Sequence, residues 1–130
     1  MKNKFRKITI CNLIYLYNIT NQFQPENSTN TLTLKVFLSG HKKTPLIIEF
    51  MTIDDCIRGQ LLNSGINMKN TKTDTTEIVN INKPKYIREL ILLGIKNGWT
   101  GFNKIDNQNG LSFLEELGFM TTDLSPGKSS

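Results

Sequence analysis

Residues 31–51 read TLTLKVFLSGHKKTPLIIEFM, and this stretch decides the fold. From Thr31 to Val36 polar and apolar residues alternate. Leu32, Leu34 and Val36 fall on one face of an extended chain, and Thr31, Thr33 and Lys35 on the other. Ser39-Gly40-His41-Lys42-Lys43 is turn chemistry. Pro45 then opens a second run, with Leu46, Ile48 and Phe50 on one face and Ile47, Glu49 and Met51 on the other. Two such runs joined by a tip of about five residues make an antiparallel hairpin, one face buried and the other half-exposed.

Working back towards the N-terminus, residues 8–19 read as one strand of β-branched and aromatic residues, through Leu13-Ile14-Tyr15-Leu16-Tyr17. Asn18 to Asn30 is polar, contains Pro25 and reads as an exposed loop. Working forward, Thr52 to Thr76 is irregular. Met68 to Thr76 holds one apolar residue among Lys, Thr and Asn, and reads as a long surface loop. Glu77 to Ile81 is a short strand.

The helix signal is clearest from Pro84 to Asn97. Asn82 or Lys83 caps it, and proline suits its first turn. Ile87, Leu90, Ile91 and Ile95 form an amphipathic stripe. Asn97-Gly98 is a stop, and Trp99 stands where an apolar residue packs back on the last turn. Leu111 to Leu117 reads as a second, short helix, with Gly118-Phe119 repeating the stop. Ser112 and Glu115 offer a capping box that would start it later. The expected architecture is α+β. A mainly antiparallel sheet of three to four strands is packed by one main helix over about 84–97 and a short C-terminal helix. The expected core is Leu32, Leu34, Val36, Ile48, Phe50, Ile87, Leu90, Ile91, Ile95, Trp99, Leu114 and Leu117. The 130 residues fit one domain over 8–124, between a basic arm at 1–7 and a disordered tail at 125–130.

The net charge of +5 comes from the arm: Lys2, Lys4, Arg6 and Lys7 lie in it, and the rest of the chain carries 12 basic against 11 acidic residues. Arg6, Arg58 and Arg88 are the only arginines, and arginine is the side chain that clamps phosphates bidentately. A solvated tail is the expected role of the arm, with nucleic-acid binding through it the alternative. Read as a signal peptide, the arm would precede an apolar region at 8–19, but Asn12, Tyr15, Tyr17 and Asn18 interrupt that region and no small-x-small site follows. No apolar run approaches the ~18 residues of a spanning helix. A cytoplasmic protein with Cys11 and Cys56 reduced and buried is expected; a Cys11–Cys56 disulfide is the other state open to them.

Catalytic chemistry finds little to build on. Two cysteines and one histidine, scattered, are too few for a zinc site. His41 sits in a turn among lysines with no orienting carboxylate. Asp54-Asp55 after the strand that holds Glu49 is the one acidic cluster that a metal-dependent hydrolase would use, and it reads more simply as turn chemistry. The nine glycines are dispersed and make no phosphate-binding loop. Tyr15 and Tyr17 read as strand packing and not as a base-stacking platform. No catalytic, cofactor-binding or metal-ligating residue is expected. What remains is a surface: Thr31, Thr33 and Lys35 on the half-exposed sheet face, His41, Lys42 and Lys43 at the hairpin tip, and Asp54 and Asp55 in the loop beyond.

The segment Pro84-Lys-Tyr-Ile-Arg-Glu-Leu-Ile-Leu-Leu-Gly-Ile-Lys-Asn-Gly-Trp99 resembles the P-x-x-V/I-R-x-L-I-x-x-(A/G)-(L/I)-x-x-G-W segment of small uncharacterised bacterial proteins. Some bacterial immunity-type proteins are similar in size and in their strand–strand–helix layout. The motif is a buried helix with its stop, so it marks fold and carries no functional residue. Absence of catalytic motifs together with this resemblance leads to the expectation of a non-enzymatic module that binds another protein, of immunity or accessory type, with a nucleic-acid-binding accessory protein and a small metal-dependent hydrolase as alternatives and self-association a further option.

Overall fold

The computed structural model describes residues 5–24, 29–55, 59–60, 62 and 65–121. The tail expected at 125–130 lies outside them, as do Lys2 and Lys4 of the arm. Arg6, Lys7 and the three residues after them form β1 (Arg6–Ile10), so two of the four arm charges belong to the sheet. The stretch expected as one strand is two, because Cys11 and Asn12 lie at φ 51° and 69°. Positive φ at both central residues is the sign pattern of a two-residue hairpin turn, and it reverses the chain into β2 (Leu13–Gln24). Exposed at that turn, Cys11 is free and not buried as expected. Cys56 lies outside the described residues.

β2 runs through residues expected as loop. Asn18 to Gln24 pair with β3 (Thr29–Leu38), whose ladder satisfies their backbone whatever their side-chain polarity. β3 pairs in turn with β4 (Leu46–Asp55), the hairpin expected at 31–51. The main sheet is six-stranded: β1-β2-β3-β4-β5, with β5 (Gly59–Gln60) and the parallel β8 (Gln108–Asn109) both along β4. It has more strands than the three to four expected, chiefly because the Cys11–Asn12 turn splits one in two and because short segments complete the β4 edge.

Register aligns the core in rows. Tyr17 stands opposite Val36 and Val36 opposite Leu46; Ile19, Leu34 and Ile48 make the next row. Tyr15, Tyr17, Leu32, Leu34, Val36, Leu46, Ile48 and Phe50 are buried, so the two tyrosines are packing residues. Each such apolar side chain contributes about 1.5–3 kcal/mol of transfer free energy.

The stretch from Met68 to Thr76, expected as a surface loop, lies in a second, two-stranded sheet together with the short strand expected from Glu77. β6 (Ile66–Asn70) pairs with β7 (Thr75–Val79), burying Met68 and Val79. Its turn is built by Asn70, whose Oδ1 accepts from the backbone N–H groups of Lys72 and Thr73 at 2.9 and 3.2 Å. Residues 118–120 run along the other side of β6, Thr71 N–H donating to Gly118 and Met120 N–H to Lys69.

Helix α1 (Pro84–Lys96) starts after Lys83 with proline at its first turn, and α2 (Gly110–Glu116) starts after Asn109. The cap of α2 is Asn109, whose side chain accepts from Leu111 and Ser112 N–H, in place of the Ser112–Glu115 box. Both helices end in the same way. Gly98 and Gly118 lie at φ 113° and 104°, and the N–H groups of Trp99 and Phe119 reach back to the carbonyls of Gly94 and Leu114. α1 buries Tyr86, Ile87, Leu90, Ile91 and Gly94. Ile95, expected in the core, is 37% exposed. At that turn Gly94 meets Leu46 so closely that a methyl group would overlap it, which brings the helix backbone onto the sheet and leaves Ile95 at the rim. Leu117 is partly buried. Neither helix is long and apolar enough to cross a membrane.

Candidate binding surface

Two turns and one loop meet at a single end of the main sheet. Tyr15 pairs with Leu38, and Ser39 N–H donates to the Ile14 carbonyl at 3.0 Å, so the β1–β2 turn lies beside the β3–β4 tip. The third contributor is the loop after α1. Trp99 is fully buried against Tyr15, ring centroids 5.7 Å apart, and its Nε1–H donates to the Thr44 carbonyl at 3.1 Å. Thr44 Oγ1 donates in turn to the Gly101 carbonyl at 2.7 Å. Gly101, at φ 92°, lies against Leu38; a Cβ there would come within 2.9 Å of Leu38 Cδ2. The helix stop is thereby fastened to the hairpin tip.

Phe102 follows on this anchor. Asn103 Oδ1 accepts from Thr100 N–H at 2.8 Å and from Thr100 Oγ1 at 2.9 Å, and Asn103 Nδ2 donates to the Gly98 carbonyl at 2.9 Å. A loop so tied presents its aromatic ring outward: Phe102 is 65% exposed. Its ring meets that of His41 edge-to-face, centroids 4.5 Å apart. Beside this ring pair opens a cleft of about 420 Å³ lined by Gly40, His41, Lys42, Lys43, Thr44 and Phe102. Its lining carries two ammonium groups and no carboxylate. Among the described residues, ion pairs join Lys85 to Glu77 and Lys96 to Glu116, while Lys42 and Lys43 take part in none. Leu13 and Ile14, 49% and 43% exposed, extend the apolar margin on the neighbouring turn.

A smaller cleft of about 240 Å³ lies at the other end of α1, beside Glu77, Lys85 and Tyr86. Two of its charges, Glu77 and Lys85, are paired with each other. The buried Tyr86 hydroxyl donates to Glu77 and lies 3.2 Å from the Ile78 carbonyl, and Lys85 Nζ is 3.2 Å from Glu77. Burial, and then the Glu77 carboxylate, push the Tyr86 hydroxyl far above its ordinary pKa. The Tyr86 hydrogen bond, opposed by partial burial and aided by Lys85, holds the Glu77 carboxyl below its own. This group fastens β7 to α1.

The residues singled out from the sequence separate into three places. His41, Lys42 and Lys43 line the larger cleft. Thr31, Thr33 and Lys35 lie on the opposite face of the sheet from the helices, the threonines half-buried and Lys35 exposed. Asp54 and Asp55 end β4 and pair with Gln60 and Gly59, so they belong to the strand and not to a turn after it. Glu49 precedes them by five and six residues in that one strand, roughly 17–20 Å at the rise of a β-strand. Positions 49, 54 and 55 are therefore too far apart for the single ion that a metal-dependent hydrolase would hold with them. Among the described residues no group of three or more His, Cys, Asp or Glu is placed to hold a metal.

Phe102 is not among the residues expected from the sequence, although an aromatic residue between Gly101 and Asn103 in a polar loop is the signal that marks it. Leu13 and Ile14 are hidden inside a run that reads as one strand. Comparison with protein-family models, with curated proteins and with solved structures returns no match for this chain.

Proposed function

We propose that this chain is a non-enzymatic cytoplasmic bacterial protein that acts by binding another protein, as an immunity or accessory factor, and that the hairpin-tip end of its sheet is the contact surface. The observation that carries the reading is the cleft between Phe102 and the His41–Thr44 tip. Aromatic residues, phenylalanine among them, are enriched at the cores of protein–protein interfaces. This ring is displayed by a loop held with four hydrogen bonds among Gly98, Thr100, Phe102 and Asn103. The resemblance of the α1 segment to small bacterial proteins of immunity-like layout agrees with the reading.

The test is capture from the native cell lysate with the tagged chain, its Phe102→Ala variant, and nuclease-treated samples beside untreated ones. A stoichiometric protein partner that survives nuclease and is lost with Phe102→Ala is the expected result. A partner retained equally by the variant would refute the tip as the contact. Nucleic acid recovered in place of protein, and lost on nuclease treatment, would move the function to the basic N-terminal segment.

A further inference from the structure

The chemistry of the cleft narrows the class of partner. Resting on the binding role proposed above, we infer that the cleft takes an acidic segment of the partner, carboxylates flanking one aromatic or large aliphatic side chain. Charge is the first argument. Lys42 and Lys43 are exposed and have no carboxylate partner among the described residues, and the cleft lining contributes no negative charge to oppose an incoming one. Unpaired cations on one rim attract an anionic segment and disfavour a basic one.

Shape is the second. A volume of about 420 Å³ suits one large side chain with its neighbouring backbone. The Phe102 and His41 rings, in edge-to-face contact with centroids 4.5 Å apart, together give it one apolar wall. Rigidity is the last. The Thr44 carbonyl is fixed by Trp99 and its hydroxyl by Gly101, so the floor of the cleft is formed before any ligand arrives.

The experiment uses the full chain, ¹⁵N-labelled, and the peptide acetyl-Glu-Glu-Phe-Glu-Glu-amide as probe. Its controls are the same peptide with glycine at the centre and with lysine in place of glutamate. Trp99 fluorescence gives a second readout, since its indole is bonded to the cleft floor. The expected result is saturable shifts at the amides of residues 40–44 and 102 with the acidic phenylalanine peptide. Affinity should fall on the order of tenfold for the glycine-centred peptide and for a Lys42→Glu, Lys43→Glu double variant, and it should weaken as salt rises. The lysine peptide should give no saturable shift. No saturation with the acidic peptide, an equal response to the lysine peptide, or shifts elsewhere on the molecule would each overturn the inference. Both substitutions are at exposed sites, and an unchanged melting temperature shows that the variant is folded. A partner captured from lysate that needs Phe102 but ignores the double charge reversal would refute the acidic specificity and leave the binding role standing. Peptide saturation at the cleft by a chain that captures no protein would do the reverse.

Discussion

Tyr86→Phe removes one oxygen from the interior and leaves the ring. Tyr86 is buried, and its hydroxyl donates to a carboxylate with a backbone carbonyl also in reach. A hydrogen bond to a charged group is worth about 1.5–3 kcal/mol when the partner cannot be resolvated. Glu77 is partly exposed, its side chain at 30%, so water replaces part of what is lost. The expected loss at neutral pH is therefore about 2 kcal/mol, a fall of roughly 5–10 °C in Tm for a chain of this size. The pH dependence carries the sharper test. The folded-state pKa of Glu77 is depressed, first by the Tyr86 hydroxyl and then by Lys85. A depressed carboxyl stabilises fully above its unfolded pKa and loses that contribution as pH falls through the folded value. In acid the wild-type bond becomes one between neutral groups, worth about 1 kcal/mol. The difference between wild type and Tyr86→Phe should thus be smaller at pH 3 than at pH 7. Urea denaturation at both pH values, followed by the fluorescence of the single tryptophan, measures it. A variant as stable as wild type at pH 7, or one whose deficit is the same at both pH values, would refute the argument.

Three further substitutions probe the frame that carries the cleft. Gly98→Ala adds a methyl group that meets no atom within 4 Å, at φ 113°, so its cost of about 1 kcal/mol is conformational only; a thermal melt that does not move would show that the α1 stop carries no such demand. Gly110→Ala places its methyl group inside the ring of the fully buried Phe50, and overpacking of about 2–3 kcal/mol should appear as a lowered urea midpoint. Asn109→Ala removes the cap of α2 and should lose about 1 kcal/mol, with Asn109→Asp restoring most of it; equal stability of the two variants would mean that the cap is not what starts the helix.

How far the fold was legible depends on which signals are local. The 31–51 hairpin, both helices and both glycine stops are written in periodicity and in residues whose backbone demands are short-range, and they stand where expected. Where sequence and structure differ, the cause is tertiary. Asn18, Asn21, Gln22 and Gln24 are poor strand formers, and the ladder shared with β3 holds their segment extended. Lys69 to Thr76 form a hairpin because Met68 and Val79 anchor it and residues 118–120 close its edge. The Cys11–Asn12 turn lacks the glycine that signals such a reversal, so one apparent strand hid two. At the surface, the basic half of the cleft was visible as His41, Lys42 and Lys43 in a turn. The apolar half was not, because Phe102 lies 59 positions beyond Lys43 and only the Trp99–Thr44 and Thr44–Gly101 bonds bring the two together.

Those same bonds link the cleft to the core. Connecting segments run over the surface and are more mobile than the elements they join. Here the backbone of Gly101 lies against Leu38 and Phe102 is exposed beside it. Trp99 makes the arrangement obligatory: its indole packs against Tyr15, and its N–H then has the Thr44 carbonyl as partner. The helix stop, the hairpin tip and the single tryptophan together hold the Phe102 ring edge-to-face with His41, most of its surface in water, beside Lys42 and Lys43.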